Sequence, residues 1–167
     1  MMHRTDGTDL LGYYRSPVGW LRTRVRGKAI AAIECVSTRP TNHTGFLLPR
    51  QIQKLFDGYF KGKPGSGSGR FELEGTPFQK RVWKELGSIP WGRCVSYAQL
   101  ARAIGRPKAV RAVAGAVGKN PAAILVPCHR VIGSDGSLTG YAYGLRKKAW
   151  LIAHEKRYNL SSGKKRT

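Results

Sequence analysis

The chain has 167 residues, 30 Lys and Arg against 9 Asp and Glu, and a net charge of +21. A hydrophobic content of 41% supports a packed core and excludes wholesale disorder. No run approaches the ~18 apolar residues of a membrane span, and the start of the chain lacks the apolar stretch of a secretory signal. The expectation is a soluble, cytoplasmic protein with a polyanion as partner.

Residues 86–167 carry 15 basic and 2 acidic side chains, and residues 86–134 contain no carboxylate, so a polyanion is expected to dock there. Cys35, Cys94 and Cys128 are odd in number and widely spaced. They fit neither a disulfide framework nor a structural zinc site, and free thiols in a reducing compartment follow.

In chain order, residues 18–25 and 29–36 read as strands separated by a turn at Gly27. The spacing of Ile52, Leu55, Phe56 and Tyr59 predicts a helix over residues 48–60. The Gly-, Ser- and Pro-rich segment 61–70 reads as a linker. It divides the chain into an α/β domain over residues 1–70 and a mostly α domain over 71–160, followed by a basic tail, 161–167. Thr76, Pro77 and Gln79 form a capping box with proline at the first helical position, and Phe78, Val82 and Leu86 make one apolar stripe. Ser96 and Gln99 repeat the box and open a helix to about Ile104. Gly105 breaks it, and Pro107 starts another that runs to about Gly118. Two short helices across a tight turn make a helix-turn-helix, with Arg106, Lys108, Arg111 and Lys119 placed to meet DNA. Residues 122–126 read as an apolar strand stopped by Pro127, residues 133–144 as a glycine-rich loop, and 145–158 as a last helix.

On that last helix Leu151 and Ile152 lie four and three residues before Glu155, which puts Glu155 on the apolar face unless local twist turns it to solvent. A carboxylate there is costly unless it is paired. His129 is the natural partner, and it stands beside Cys128. Glu, His and Cys in series are the arrangement of an activated thiolate, although a Cys-His pair taken alone also fits an inert core thiol.

The run NPAAILVPCHRVIGSDGSLTGYAYG, followed by KKAWLIAHE and preceded by VSYAQLA and PKAVRAVAGAVGKNP, closely resembles the O6-alkylguanine-DNA alkyltransferases from about Thr76 to Glu155. The first seventy residues are similar mainly through SPVGWL. The resemblance implies a ribonuclease H-like N-terminal domain and a winged-helix-like C-terminal domain. It implies direct reversal of DNA damage: the alkyl group of O6-alkylguanine in duplex DNA, and of O4-alkylthymine, passes irreversibly to the protein's own cysteine after the nucleotide is flipped. It also implies a monomer that is consumed in one turnover, with no cofactor, no membrane and no obligate protein partner.

Carried onto this sequence, the resemblance makes Cys128 the acceptor thiol, His129 its base through a bound water, and Glu155 the carboxylate that holds His129. Asn120 supports the turn ahead of the thiol. Tyr97 helps rotate the nucleotide and bonds the base, and Arg111 fills the vacated space in the duplex. Backbone groups of Cys128, Val131 and Ala142 read the guanine edge, with Tyr141 and Tyr143 in the lid loop. Ala112 and Gly115 let the helix approach the groove closely, and Arg130 joins the basic residues on DNA. Tyr143 is bulky where some relatives carry glycine, and Ala123 stands where some carry proline. No metal is expected, because Cys35, Cys94, His3 and His43 lack the arrangement that holds zinc in some members. His154 is placed on the surface.

Three other readings compete with alkyl transfer. A non-catalytic lesion sensor of this family would lack the acceptor, and Cys128 argues against it. A cysteine-switched helix-turn-helix regulator would need sequence-reading polar side chains on a helix that is mostly Ala, Val and Gly. A Cys-His-Glu hydrolase gains nothing from the positive charge.

Overall fold

The computed structural model describes residues 4–5, 9–38, 47–63 and 69–163. His3, His43, half of the expected linker (64–68) and the end of the tail lie outside them. The chain folds as two compact units, Met1–Glu74 with Pro121–Ala123, and Gly75–Asn120 with Ile124–Thr167.

The first unit is a sheet with one helix. Strands β1 (Arg4–Thr5), β2 (Asp9–Ser16), β3 (Gly19–Arg26), β4 (Ala29–Val36) and β5 (Arg70–Phe71) lie in sequence order, antiparallel except for the β4–β5 pair. Gly27, at φ +58, makes the turn between β3 and β4 with the left-handed backbone that glycine adopts without strain. Along β3 burial alternates through Leu21, Thr23 and Val25, whereas residues 29–33 of β4 are buried without a break, as in a strand covered on both faces. Helix α1 (Arg50–Phe60) sets Phe56 against Tyr14, whose hydroxyl donates to Asp57 at 2.7 Å. Asp9, almost wholly buried, accepts from Arg26 Nε at 2.8 Å, and this bond holds its carboxyl below the usual carboxylate range.

The sequence reading missed β2, whose buried positions Asp9 and Gly12 are three apart and show no period of two. The strand expected over 122–126 is not formed. Ala122 makes a single parallel bridge with Ile33, and residues 123–125 form turns. Ile124 lies at φ +73, outside the β region and strained for a β-branched residue.

The second unit contains α2 (Pro77–Ser88), α3 (Tyr97–Ala103), α4 (Val110–Gly118) and α5 (Leu145–Gly163), with a parallel ladder of β6 (Val95–Ser96) and β7 (Val131–Ile132). Both expected capping boxes are present: Gln79 N donates to Thr76 Oγ1 at 3.2 Å, and Gln99 N to Ser96 Oγ at 3.1 Å. Val82, Leu86, Leu100, Ile104, Val113 and Val117 build the core, and Trp83 Nε1 donates to Ala116 O at 2.8 Å. Gly105, at φ +70, turns the chain between α3 and α4. Helix α4 starts at Val110 rather than at Pro107. Residues 106–109 offer no capping side chain, and Ala109 N closes a turn on Arg106 O instead. No helix of the described residues is long and apolar enough to cross a membrane.

Candidate active site

Cys128, His129 and Arg130 form one 3-10 turn leading into β7, and all three are buried. The turn is fixed from behind: Cys128 N donates to Val126 O at 2.8 Å, and Asn120 Nδ2 to the same carbonyl at 2.7 Å. One amide side chain thus anchors the segment carrying the strained Ile124. Burial pushes the Cys128 thiol above its ordinary range, while a hydrogen bond from Asn120 and the charge of Lys148 pull the other way. The resting thiol is protonated and needs a base.

A histidine follows Cys128 in the chain. His129 is fully buried, and its Nε2 lies 2.6 Å from Glu155 Oε1. Burial outweighs the carboxylate's pull and keeps the imidazole below its usual range, hence neutral. With Nε2–H donating to Glu155, the basic nitrogen of the neutral ring is Nδ1. Glu155 also accepts from Arg130 Nε at 2.8 Å, Arg130 Nη2 at 3.0 Å and Gly92 N at 3.1 Å. Burial alone would raise its carboxyl, but the bonds from His129 and Arg130 bring it down to about 2. With His129 neutral, Arg130 is the cation that compensates Glu155.

Arg130 therefore does not belong to the DNA-facing set. It is buried, forked on Glu155, donating to Ile89 O, and 5.7 Å from the Trp91 ring. A lone arginine following the Cys-His pair carries no spacing signal that could have placed it. His154 is likewise not a plain surface residue. It is half-buried, stacked 4.9 Å from Trp150 and edge-on to Trp91 and Tyr158.

Tyr97 opens α3 half-buried, with Oη 3.4 Å from the carbonyls of Thr139 and Gly140. Burial raises its phenol, and a Cys128 thiolate would raise it further. Within the 133–144 loop Tyr141 and Tyr143 are half-buried and meet edge to face at 5.6 Å, Ala142 is exposed, and Val131 is buried at the loop's root. Lys148, which the sequence reading did not single out, is fully buried and donates to Val131 O at 2.6 Å and to Thr139 O. A concavity of about 470 Å³ lies between β6, the start of α3 and Gly133, bordered by Ser96, Gln99, Arg102 and Ser134. Among the described residues no cluster of His, Cys, Asp and Glu could hold a metal.

The basic residues fall where an anionic partner can reach them. Arg106 and Lys108 on the turn, Arg111 on α4 and Lys119 after it are exposed. On α4 the exposed residues Arg111, Ala112, Gly115 and Gly118 lie on one face, opposite buried Val113, Ala116 and Val117. A Cβ at Gly115 would meet nothing within 4 Å.

Residues 77–157 match the sequence model of the 6-O-methylguanine DNA methyltransferase DNA-binding domain. The chain is 40% identical over 162 residues to a methylated-DNA–protein-cysteine methyltransferase of Haemophilus influenzae, covering 93% of this chain and 90% of that protein. It is 41% identical to the protein of the same name from Mycolicibacterium paratuberculosis, covering 88% and 92%. A probable methylated-DNA–protein-cysteine methyltransferase of Acanthamoeba polyphaga mimivirus is 54% identical over 100 residues, 59% of this chain and 66% of that protein. Among solved structures, the Mycobacterium tuberculosis OGT in complex with DNA superposes with a TM-score of 0.79 at 39% identity, covering 89% of this chain and 93% of that one.

Proposed function

Because the chain belongs to the family of methylated-DNA–protein-cysteine methyltransferases, we propose that it repairs duplex DNA by moving the alkyl group of O6-alkylguanine, and of O4-alkylthymine, onto Cys128, once per molecule. The observation that carries this reading is the buried series of Cys128 followed by His129, with His129 Nε2 2.6 Å from a Glu155 that is itself forked by Arg130.

In the proposed reaction His129 Nδ1 takes the thiol proton, directly or through one water. Glu155 stabilises the imidazolium that forms. The thiolate attacks the alkyl carbon in line: the S–C bond forms, the C–O6 bond breaks, and its electron pair leaves on the base. Tyr97 Oη donates a hydrogen bond to that base in this reading. The thioether is not readily reversed, so the protein is consumed and needs no cofactor.

An O6-alkyl group lies within the base stack, so the nucleotide must be turned out, at a cost of a few kcal/mol that is least for a poorly paired base. Support for this comes from the exposed face of α4. Arg111 can enter the duplex, Ala112 and Gly115 permit close approach, and Arg106, Lys108 and Lys119 supply phosphate contacts that carry no sequence preference. Backbone groups of Cys128, Val131 and Ala142, with Tyr141 and Tyr143 in the lid, would read the base. We assign the chemistry and the DNA contacts to the second unit, of winged-helix type, and a supporting role to a ribonuclease H-like first unit. Three cysteines outside any disulfide suit a monomer in the reducing cytoplasm.

The test is a stoichiometry assay with a duplex carrying one O6-methylguanine in excess over the protein. One equivalent of restored guanine per protein, and no more, is expected. Continued turnover contradicts the suicidal mechanism, and lesion binding with no restored guanine would identify a sensor.

A further inference from the structure

We propose that Lys148 is a positioning residue of this site: its buried ammonium clasps the carbonyls of Val131 and Thr139 and holds the 133–144 loop against the surroundings of the Cys128 thiol. The inference rests on the alkyl-transfer reading above. Lys148, Leu151, Ile152 and Glu155 follow one another at helical spacing and are all buried, so the face of α5 that delivers Glu155 to His129 also delivers Lys148.

Buried lysines are ordinarily paired with a carboxylate. Among the described residues no carboxylate lies within salt-bridge reach of Lys148, and its ammonium is spent on two carbonyls eight positions apart in the chain. One belongs to Val131, three residues beyond Cys128. The other belongs to Thr139, whose carbonyl also faces Tyr97 Oη at 3.4 Å. Helices α3 and α5 therefore converge on one carbonyl of the loop.

Further bonds lie within the loop. Gly133 N donates to Ser137 O, Gly136 N to Gly133 O, Ser137 to Asp135, and Gly144 N to Tyr141 O. They shape the loop, while Tyr97 Oη also faces Gly140 O at 3.4 Å and Lys148 N donates to Gly144 O at 3.3 Å where the loop enters α5. Of the two donors on Thr139, the Tyr97 phenol is half-exposed and long, and it is the group that must turn toward an incoming base. Lys148 is short, buried and uninvolved in that exchange, so it keeps the loop in place when Tyr97 lets go. Burial lowers the Lys148 ammonium while a Cys128 thiolate favours it, which agrees with a cation set close to the sulfur.

The test compares wild type with Lys148→Met in the reaction of Cys128 with free O6-benzylguanine and with iodoacetamide, from pH 7 to the alkaline plateau where the thiol is ionised in both proteins. Loss of the clasp should slow the benzylguanine reaction by roughly ten- to a hundred-fold, the scale of a misplaced binding wall. Iodoacetamide, which needs no wall, should react at the plateau as in wild type. Equal slowing of both reagents there, or no slowing of the benzylguanine reaction, overturns the proposal. A wild type inert to benzylguanine would instead count against the alkyl-transfer reading. Should Lys148→Met fail to give a folded far-UV spectrum, Lys148→Leu, which is also apolar and has no donor, takes its place with the same outcomes. In the wild type itself, the Lys148 ammonium should give a slowly exchanging 15N–1H correlation at pH 7, and averaging with water would contradict the clasp.

Discussion

Replacing Glu155 by Gln keeps the side chain's shape and removes one charge from the centre of the network. The carboxyl titrates at about 2 instead of 4.5. Each factor of ten in acidity is worth about 1.36 kcal/mol, so the fold favours the carboxylate by about 3 kcal/mol. Leaving a buried cation without its partner costs about 3–5 kcal/mol on general grounds, which agrees, and here the stranded cation is Arg130. For a chain of this length a loss of about 3 kcal/mol lowers the melting temperature by roughly 6–12 °C. A carboxyl with a depressed folded value stabilises above the unfolded one, and that stability drains away as pH falls through the folded one. Thermal unfolding followed by circular dichroism from pH 7 to pH 2 should therefore show a large gap between wild type and Glu155→Gln at neutrality. The gap should shrink below about pH 4.5 and be mostly gone near pH 2. At pH 7 the variant should also alkylate Cys128 about 10²- to 10⁴-fold more slowly, having lost the group that stabilises the imidazolium. Equal melting at pH 7, or a gap that persists unchanged at pH 2, would refute the assigned charges.

Arg111→Ala should slow repair of an O6-methylguanine duplex while sparing reaction with free O6-benzylguanine, and equal losses on both, compared as second-order rates, would remove the arginine from nucleotide flipping. His129 is held neutral by burial, so the unfolded chain takes up a proton that the folded one excludes. Stability should decline as pH drops below 6.5, and His129→Gln should flatten that part of the melting profile; an unchanged slope would contradict a neutral buried imidazole. Gly115→Leu places a side chain in open space on α4, so melting should hold or rise by up to about 1 kcal/mol of stability from helix propensity. DNA affinity in a titration should nevertheless fall, and undiminished binding would separate this face from the duplex.

Local signals made the second unit the more legible part of the chain. Each capping box is written within four residues, and both helices open where Thr76 and Ser96 stand. Helix-face arithmetic found Glu155, and the structure supplies the His129 bond at 2.6 Å. The same arithmetic applied two turns before Glu155 places Lys148 inward, but lysine is so regularly a surface residue that the position drew no notice. Arg130 had no comparable cue, since its burial depends on Glu155 and Ile89 arriving from elsewhere in the chain. The two-residue strands β1, β5, β6 and β7 are too short for any periodicity to register. The apolar run at 122–126 reports burial rather than strand geometry, and the left-handed Ile124 shows the difference.

The central claim, that Cys128 itself receives the alkyl group, is met most directly by peptide mass mapping after the protein is mixed with a duplex carrying one O6-methylguanine. The account predicts one added methylene on the Cys128 peptide, saturating at one per protein and absent in Cys128→Ser. An unmodified Cys128 in a protein that still holds the lesion tightly, or a methyl group mapped to Cys35 or Cys94, would contradict it.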